Sequence, residues 1–182
     1  IFIFKIKTVT NVLALNLGAC GINLGFDNYE PAKGEYSYGD FGNVITLPQF
    51  KNLIENYEKE LIYHGKKIAT IAYIYCVGSR QDIEGENKYC SRVCCTAAIH
   101  SAIQVKNKFK NITNLHFNRG IRTYGKQELL YDESSKNGDI YLQFSLDRIQ
   151  ELTQKGNQTF VQAKDILSAG TTMAADADLS AL

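Results

Sequence analysis

Four of the five cysteines in this 182-residue chain fall between residues 76 and 95, in the stretch CVGSRQDIEGENKYCSRVCC, spaced C-x13-C-x3-C-C. Thiols at that density ligate metal, exchange with disulfides, or fill a core as small hydrophobes. Adjacent Cys94 and Cys95 would close only a strained bond with each other. The clustering also differs from the spread pairs of a secreted disulfide scaffold. A reducing, cytoplasmic setting with metal-bound thiolates is the expectation. A single zinc with close tetrahedral ligands copes poorly with vicinal cysteines, whereas a four-iron cubane presents corners in several directions. The paired C-x2-C knuckles of zinc sites and the ferredoxin run C-x2-C-x2-C-x3-C are both missing. The residues favour one iron–sulfur cluster held by Cys76, Cys90, Cys94 and Cys95. A zinc site and a redox-active dithiol of Cys94 and Cys95 remain alternatives. Cys20, in an apolar-to-small segment, reads as a buried free thiol.

These thiols need elements to bring them together. Residues 68–75 (IATIAYIY) are apolar at nearly every position, as in a strand buried on both faces of a parallel sheet. Cys76 follows where that strand must end. Ala98, Ile99, Ala102, Ile103, Val105 and Phe109 then predict a helix running to about residue 111. Cys90 and Cys94 share a face if that helix has begun by residue 90, with Cys95 about 100° further round. A strand is predicted over 114–117, a helix over 126–136 with Gly138 as its stop, and a strand over 140–144. The alternation predicts a right-handed parallel α/β, Rossmann-like unit at 67–144. A dinucleotide-binding unit carries G-x-G-x-x-G at the first turn, with pyrophosphate on the helix N-terminus. Here one glycine, Gly78, and a thiol-lined loop replace it. That helix end would hold thiolates and an anionic cluster instead, so NAD(P) binding is not expected.

Upstream, Phe50, Leu53, Ile54 and Tyr57 repeat at i, i+3, i+4 and i+7. They predict a packing helix with Thr46 as N-cap, Pro48 in its first turn and Gly65 at its end. Short strand-like runs at 1–7 and 9–17, a Tyr/Gly loop at 28–42, weaker strands at 159–163 and 165–167, and a small, polar, loosely packed tail from residue 169 complete the reading. Leu17-Gly18-Ala19-Cys20 has the form of a lipoprotein cleavage box, but Asn11 and Asn16 break the apolar stretch before it, so a signal peptide is not expected. No apolar run approaches the ~20 residues of a membrane span. A net charge of +1 argues against a nucleic-acid surface. No Ser/His/Asp set or framed carboxylate pair occurs, and His64 and His116, outside any motif, read as structural.

The segments Cys76-Val77-Gly78-Ser79-Arg80 and Tyr89-Cys90-Ser91-Arg92-Val93-Cys94-Cys95 resemble the signature of the heterodisulfide reductase A family, iron–sulfur flavoproteins on a thioredoxin-reductase-like core. Gly25-Phe26-Asp27, Asn43-Val44-Ile45-Thr46, Ile121-Arg122-Thr123-Tyr124-Gly125-Lys126 and Leu167-Ser168-Ala169-Gly170 resemble further family segments, so the likeness covers roughly residues 18–182. The resemblance implies a [4Fe-4S] cluster on Cys76, Cys90, Cys94 and Cys95 beside a bound FAD. It also implies electron transfer inside a multi-subunit, anaerobic oxidoreductase complex, with other iron–sulfur and oxidoreductase subunits as partners.

The same resemblance assigns 1–48 to part of a flavin domain and linker, 49–66 to a connecting helix, 67–167 to a cluster-binding Rossmann-like domain, and 168–182 to a return toward the flavin domain. Gly25, Arg80, His100, Arg122 and Gly170 are its implied flavin or cluster contacts. Arg80 and Arg122 would offset cluster charge or reach a flavin phosphate. The family's flavin-binding G-x-G-x-x-G and its ferredoxin-type cysteine runs are missing here, and His100 stands where flavin-bifurcating members carry lysine. The chain therefore reads as the middle of a larger flavoprotein, a split subunit, or a sequence with pieces missing.

Overall fold

The apolar run at 68–75 becomes the middle of a parallel sheet, with Ile71, Ala72, Tyr73, Ile74 and Tyr75 all buried. The computed structural model describes residues 27–81, 84–85, 87–109, 111–144, 151–155, 158–167 and 172–182. The expected strands at 1–7 and 9–17, together with Cys20, Gly25 and Gly170, lie outside the described residues.

In chain order the elements are β1 (Val44–Ile45), α1 (Leu47–Asn56), β2 (Ile62–Tyr63), β3 (Lys66–Lys67) and β4 (Thr70–Ile74). Then come α2 (Cys94–Lys108), β5 (Thr113–Asn118), α3 (Glu128–Lys136) and β6 (Ile140–Gln143). Four strands close the chain: β7 (Glu151–Lys155), β8 (Gln158–Lys164), β9 (Thr172–Ala177) and β10 (Leu179–Ala181). The main sheet runs β1-β10-β4-β5-β6, and every neighbouring pair is parallel. The strand–helix alternation read from the sequence over 67–144 is the β4-α2-β5-α3-β6 path.

Side-chain alternation splits the core in two. On one face Ile71, Tyr73 and Tyr75 pack with Phe50, Ile54 and Ala102 of α1 and α2. On the other, Ala72, Ile74 and Phe117 pack with Val161 and Ala177 of the antiparallel ribbon β7-β8-β9. The result is a helix layer, a parallel sheet and a β-ribbon layer.

Local chemistry sets most boundaries. Thr46 and Gln49 form a reciprocal capping box: the Gln49 N–H donates to Thr46 Oγ1 at 3.4 Å, and the Thr46 N–H donates to Gln49 Oε1 at 2.8 Å. Gly65 does not end α1, contrary to the sequence reading; α1 stops at Asn56. His64 and Gly65, at φ 47° and 75°, make the two-residue turn of the β2–β3 hairpin. That turn needs positive φ at both central residues, which is where the glycine is used.

The expectation of a loosely packed tail is also overturned. Leu179, Ser180 and Ala181 are buried, and β10 lies between β1 and β4. Just before it, the Asp178 carboxylate accepts the N–H groups of Ala69 and Thr70 and pairs with Lys66 at 2.6 Å, locking the strand start. Thus β1 and β10, from outside 67–167, complete the sheet.

Candidate metal centre

β5 and β6 lie to one side of β4, and β10 and β1 lie to the other. The crevice at the carboxyl ends of β4 and β10 is therefore a topological switch point, where open α/β sheets bind ligands. A cavity of about 490 Å³ opens there, and Tyr75, Cys76, Gly78, Cys94 and Leu182 are among its lining residues.

Cys76 leaves β4 with φ 64°, turning the chain sharply off the strand. The loop doubles back on itself. The Arg80 N–H donates to Tyr89 O and the Gln81 N–H to Asn87 O, both at 2.9 Å, and Asn87 Nδ2 donates to Gly78 O at 3.1 Å. This pairing returns Tyr89 and Cys90 to the base of the turn. Gly78 has φ 67°, and a Cβ there would lie 2.3 Å from the Tyr29 ring, so the segment at residue 29 closes directly over the turn.

α2 begins at Cys94, so Cys94 and Cys95 occupy its first turn. Its N-cap, Val93, makes no side-chain capping bond, which leaves first-turn N–H groups available to anionic sulfur. The Cys95 thiol, Ser91 and the Cys94 and Cys95 N–H groups stabilise the Cys94 thiolate, lowering its pKa to about 6 against the opposing effect of burial. Cys95 is pushed up, because its proton bridges to Cys94 and because it is buried. The Arg122 backbone N–H donates to Cys95 Sγ at 3.5 Å. Burial and neighbouring Cys94 push Cys76 up, while the Arg80 and Arg119 guanidiniums pull the other way and lose.

Cys76, Cys94 and Cys95 thus share one electrostatic environment. Cys90 is half-buried in the loop, and because the helix starts only at residue 94, the shared Cys90–Cys94 helical face does not form. Among the described residues no three His, Cys, Asp or Glu side chains converge as tightly as a single metal ion demands. Thiolates around one zinc would lie roughly 3.8 Å apart, from a Zn–S bond of about 2.3 Å. A cluster with several irons accepts thiolates set further apart than a single zinc does.

The other expected contacts scatter. Arg80 sits at the site, with Nη1 4.0 Å from Cys76 Sγ. Arg122 contributes its backbone N–H, while its side chain is exposed. His100 is exposed on α2 and does not line the cavity.

Sequence reading missed Arg119. It is buried at the end of β5, and its Nη1 donates to Arg80 O at 2.8 Å. Its place at a strand end beside the one carrying Cys76 was the available signal. His116, read as structural, is fully buried between the Tyr73 and Tyr141 rings.

No family model matches the chain. Curated relatives do. The chain is 31% identical over 168 residues to the A subunit of the H2:CoB-CoM heterodisulfide,ferredoxin reductase of Methanothermobacter thermautotrophicus, covering 88% of this chain and 25% of that protein. It is 32% identical over 160 residues to an iron-sulfur A subunit of the CoB–CoM heterodisulfide reductase of Methanopyrus kandleri, covering 83% and 24%. With the A subunit of the H2/formate:CoB-CoM heterodisulfide,ferredoxin reductase of Methanococcus maripaludis, identity is 32% over 178 residues, covering 93% and 27%. Over most of its length the chain is thus heterodisulfide reductase A-like, a partial chain that spans about a quarter of the length of the curated relatives it matches.

Proposed function

We propose that this chain is the electron-transfer part of a flavin/iron–sulfur oxidoreductase of the heterodisulfide reductase A type. The observation that supports the reading is the cysteine turn itself: Cys76 at a strand end and Cys94 at a helix start line one cavity at the switch point of a parallel sheet, where a phosphate-binding turn would otherwise stand. Cys76, Cys90, Cys94 and Cys95 would hold a [4Fe-4S] cluster, which supplies one-electron exchange when bound.

The chain's own residues prepare that site. The α2 N-terminus and Ser91 favour thiolate at Cys94. The Arg122 N–H fixes Cys95, and Tyr29 shields the turn from solvent at Gly78. With no dinucleotide turn of its own, the chain meets FAD that is bound by the rest of a larger flavoprotein, with Gly25 and Gly170 on that side. Its partners are further iron–sulfur and oxidoreductase subunits of a multi-protein complex in a reducing cytoplasm. No helix among the described residues is long and apolar enough to cross a membrane.

The test is anaerobic purification of the native complex with iron, sulfide, zinc and flavin analysis. Expected are iron and acid-labile sulfide in equal amounts and a broad absorbance near ~400 nm that bleaches on reduction. Zinc without iron or sulfide would eliminate the reading in favour of a zinc-stabilised interaction module.

A further inference from the structure

Ile74 of β4 pairs with Phe117 of β5, and two residues beyond each, Cys76 and Arg119 leave the sheet side by side. There Arg80 and Arg119 exchange hydrogen bonds. Arg80 Nη1 donates to Arg119 O at 2.6 Å, and Arg119 Nη1 donates to Arg80 O at 2.8 Å. The Arg119 side chain also stacks over Phe144, with its guanidinium carbon 5.3 Å from the ring centre. Arg80 Nη1 meanwhile reaches Cys76 Sγ.

Charge is left over. Arg119 is only 7% exposed, and its Nε is buried with no hydrogen-bond partner. Among the described residues neither guanidinium forms an ion pair with a carboxylate. Carbonyl acceptors satisfy N–H groups but carry no net charge, and a buried cation without a counter-charge is costly. The acceptor that the pair does reach is a cysteine sulfur, which becomes an anion on binding metal.

We propose that Arg80 and Arg119 form a charge clamp that raises the reduction potential of the iron–sulfur centre held by Cys76. Arg119 is a positioning residue: it pins the turn so that Arg80 stays against Cys76 Sγ, and it adds its own buried charge. One-electron reduction by dithionite, the titrant, adds one negative charge to the centre, without making or breaking a bond to the protein. Two nearby cations stabilise that reduced state. This inference rests on the iron–sulfur reading above.

The test is a redox titration of the anaerobically purified native complex, following the paramagnetic signal that Cys94→Ser removes. Arg119→Gln and Arg80→Gln should each keep wild-type iron and sulfide. Each should lower the reduced-to-oxidised ratio at fixed ambient potential by three- to tenfold; tenfold corresponds to about 59 mV for a one-electron couple. Arg119→Lys, which keeps the charge, should recover most of the shift. Lys136→Gln, on an exposed cation paired with Asp132, should produce none.

An unmoved potential in Arg80→Gln with full iron content overturns the clamp, and so does an equal shift in Lys136→Gln. Should Arg119→Gln fail to fold, Arg80→Gln decides alone, because its side chain is only half-buried. Wild-type protein without iron and sulfide would sink the underlying reading first, and the metal assay separates that failure from the failure of the clamp.

Discussion

At the carboxyl ends of β4 and β5, Cys76, Arg80 and Arg119 gather charge beside a cavity, with no carboxylate to balance it among the described residues. A few residues deeper in the same strands, His116 is treated in the opposite way. Its ring lies between Tyr73 and Tyr141, with centroids 4.8 Å and 4.3 Å away and planes within 9° and 10°. Nδ1 is 2.8 Å from the Tyr75 hydroxyl, and Nε2 is 3.6 Å from Asp139 Oδ2, too long for a direct hydrogen bond. Asp139 in turn accepts Ser134 Oγ–H at 2.5 Å and Asn114 Nδ2–H at 2.9 Å. Burial drives the imidazole pKa down, and the Asp139 carboxylate only partly offsets this. Mid-strand, the ionisable groups pair with one another around Asp139, so charge there meets counter-charge even though His116 Nε2 has no direct hydrogen-bond partner. At the strand end the charge is left open, which is what a ligand site requires.

That contrast breaks if the two regions respond alike. Asp139→Ala strips partners from Ser134, Asn114 and His116 and should cost about 3 kcal/mol, on the scale of disrupting a buried charge network, read by chemical denaturation. Its iron content, measured below the unfolding transition, should match wild type. Cys94→Ser should do the reverse, lowering the iron content and the ~400 nm absorbance of the complex by the share of this one cluster while costing the metal-free chain less than about 1 kcal/mol. A large stability loss from Cys94→Ser with iron retained would merge the two regions.

The turn itself gives the next effect. Gly78→Ala combines positive φ with a collision against Tyr29 and should cost about 1–2 kcal/mol. Wild-type stability in urea would mean that the Tyr29 ring does not cover the turn in solution.

A pH profile sharpens the deep end. His116 has a folded pKa below its unfolded value, so as pH falls through ~6.5 the unfolded chain takes up a proton that the native imidazole resists. Stability is therefore fully present above that pH and declines below it, by at most about 1.4 kcal/mol per pH unit for one proton. His116→Gln should flatten this segment. Asp139 is buried, which raises its carboxyl, but its partners outweigh that and the net shift is downward. Its contribution has the same sign, but is lost only near and below ~4. The smallest effect is expected from His100→Ala. Exposed on α2, it should change stability by no more than about 0.5 kcal/mol, and a larger loss in the same denaturation assay would contradict its exposure.

Local sequence determined a good deal of this protein. Thr46, Gln49 and Pro48 specify where α1 starts, because capping depends on residues three apart. The unbroken apolar run at 68–75 identifies a strand buried on both faces. The spacing of Cys76, Cys90, Cys94 and Cys95 marks the turn after that strand as the place where chemistry is concentrated. Only the tertiary structure decided the rest. Pairing of 179–181 with 44–45 on one side and with 71–73 on the other is non-local, so Leu179, Ser180 and Ala181 gave no periodic sign that they would fill the sheet. Helix onset at Cys94 separated Cys90 from the helical pair, which spacing could not settle. Arg119 gained its importance by meeting Arg80 across two different turns. Periodicity reports what a residue does within its own element, whereas charge balance and strand order depend on what other elements bring beside it.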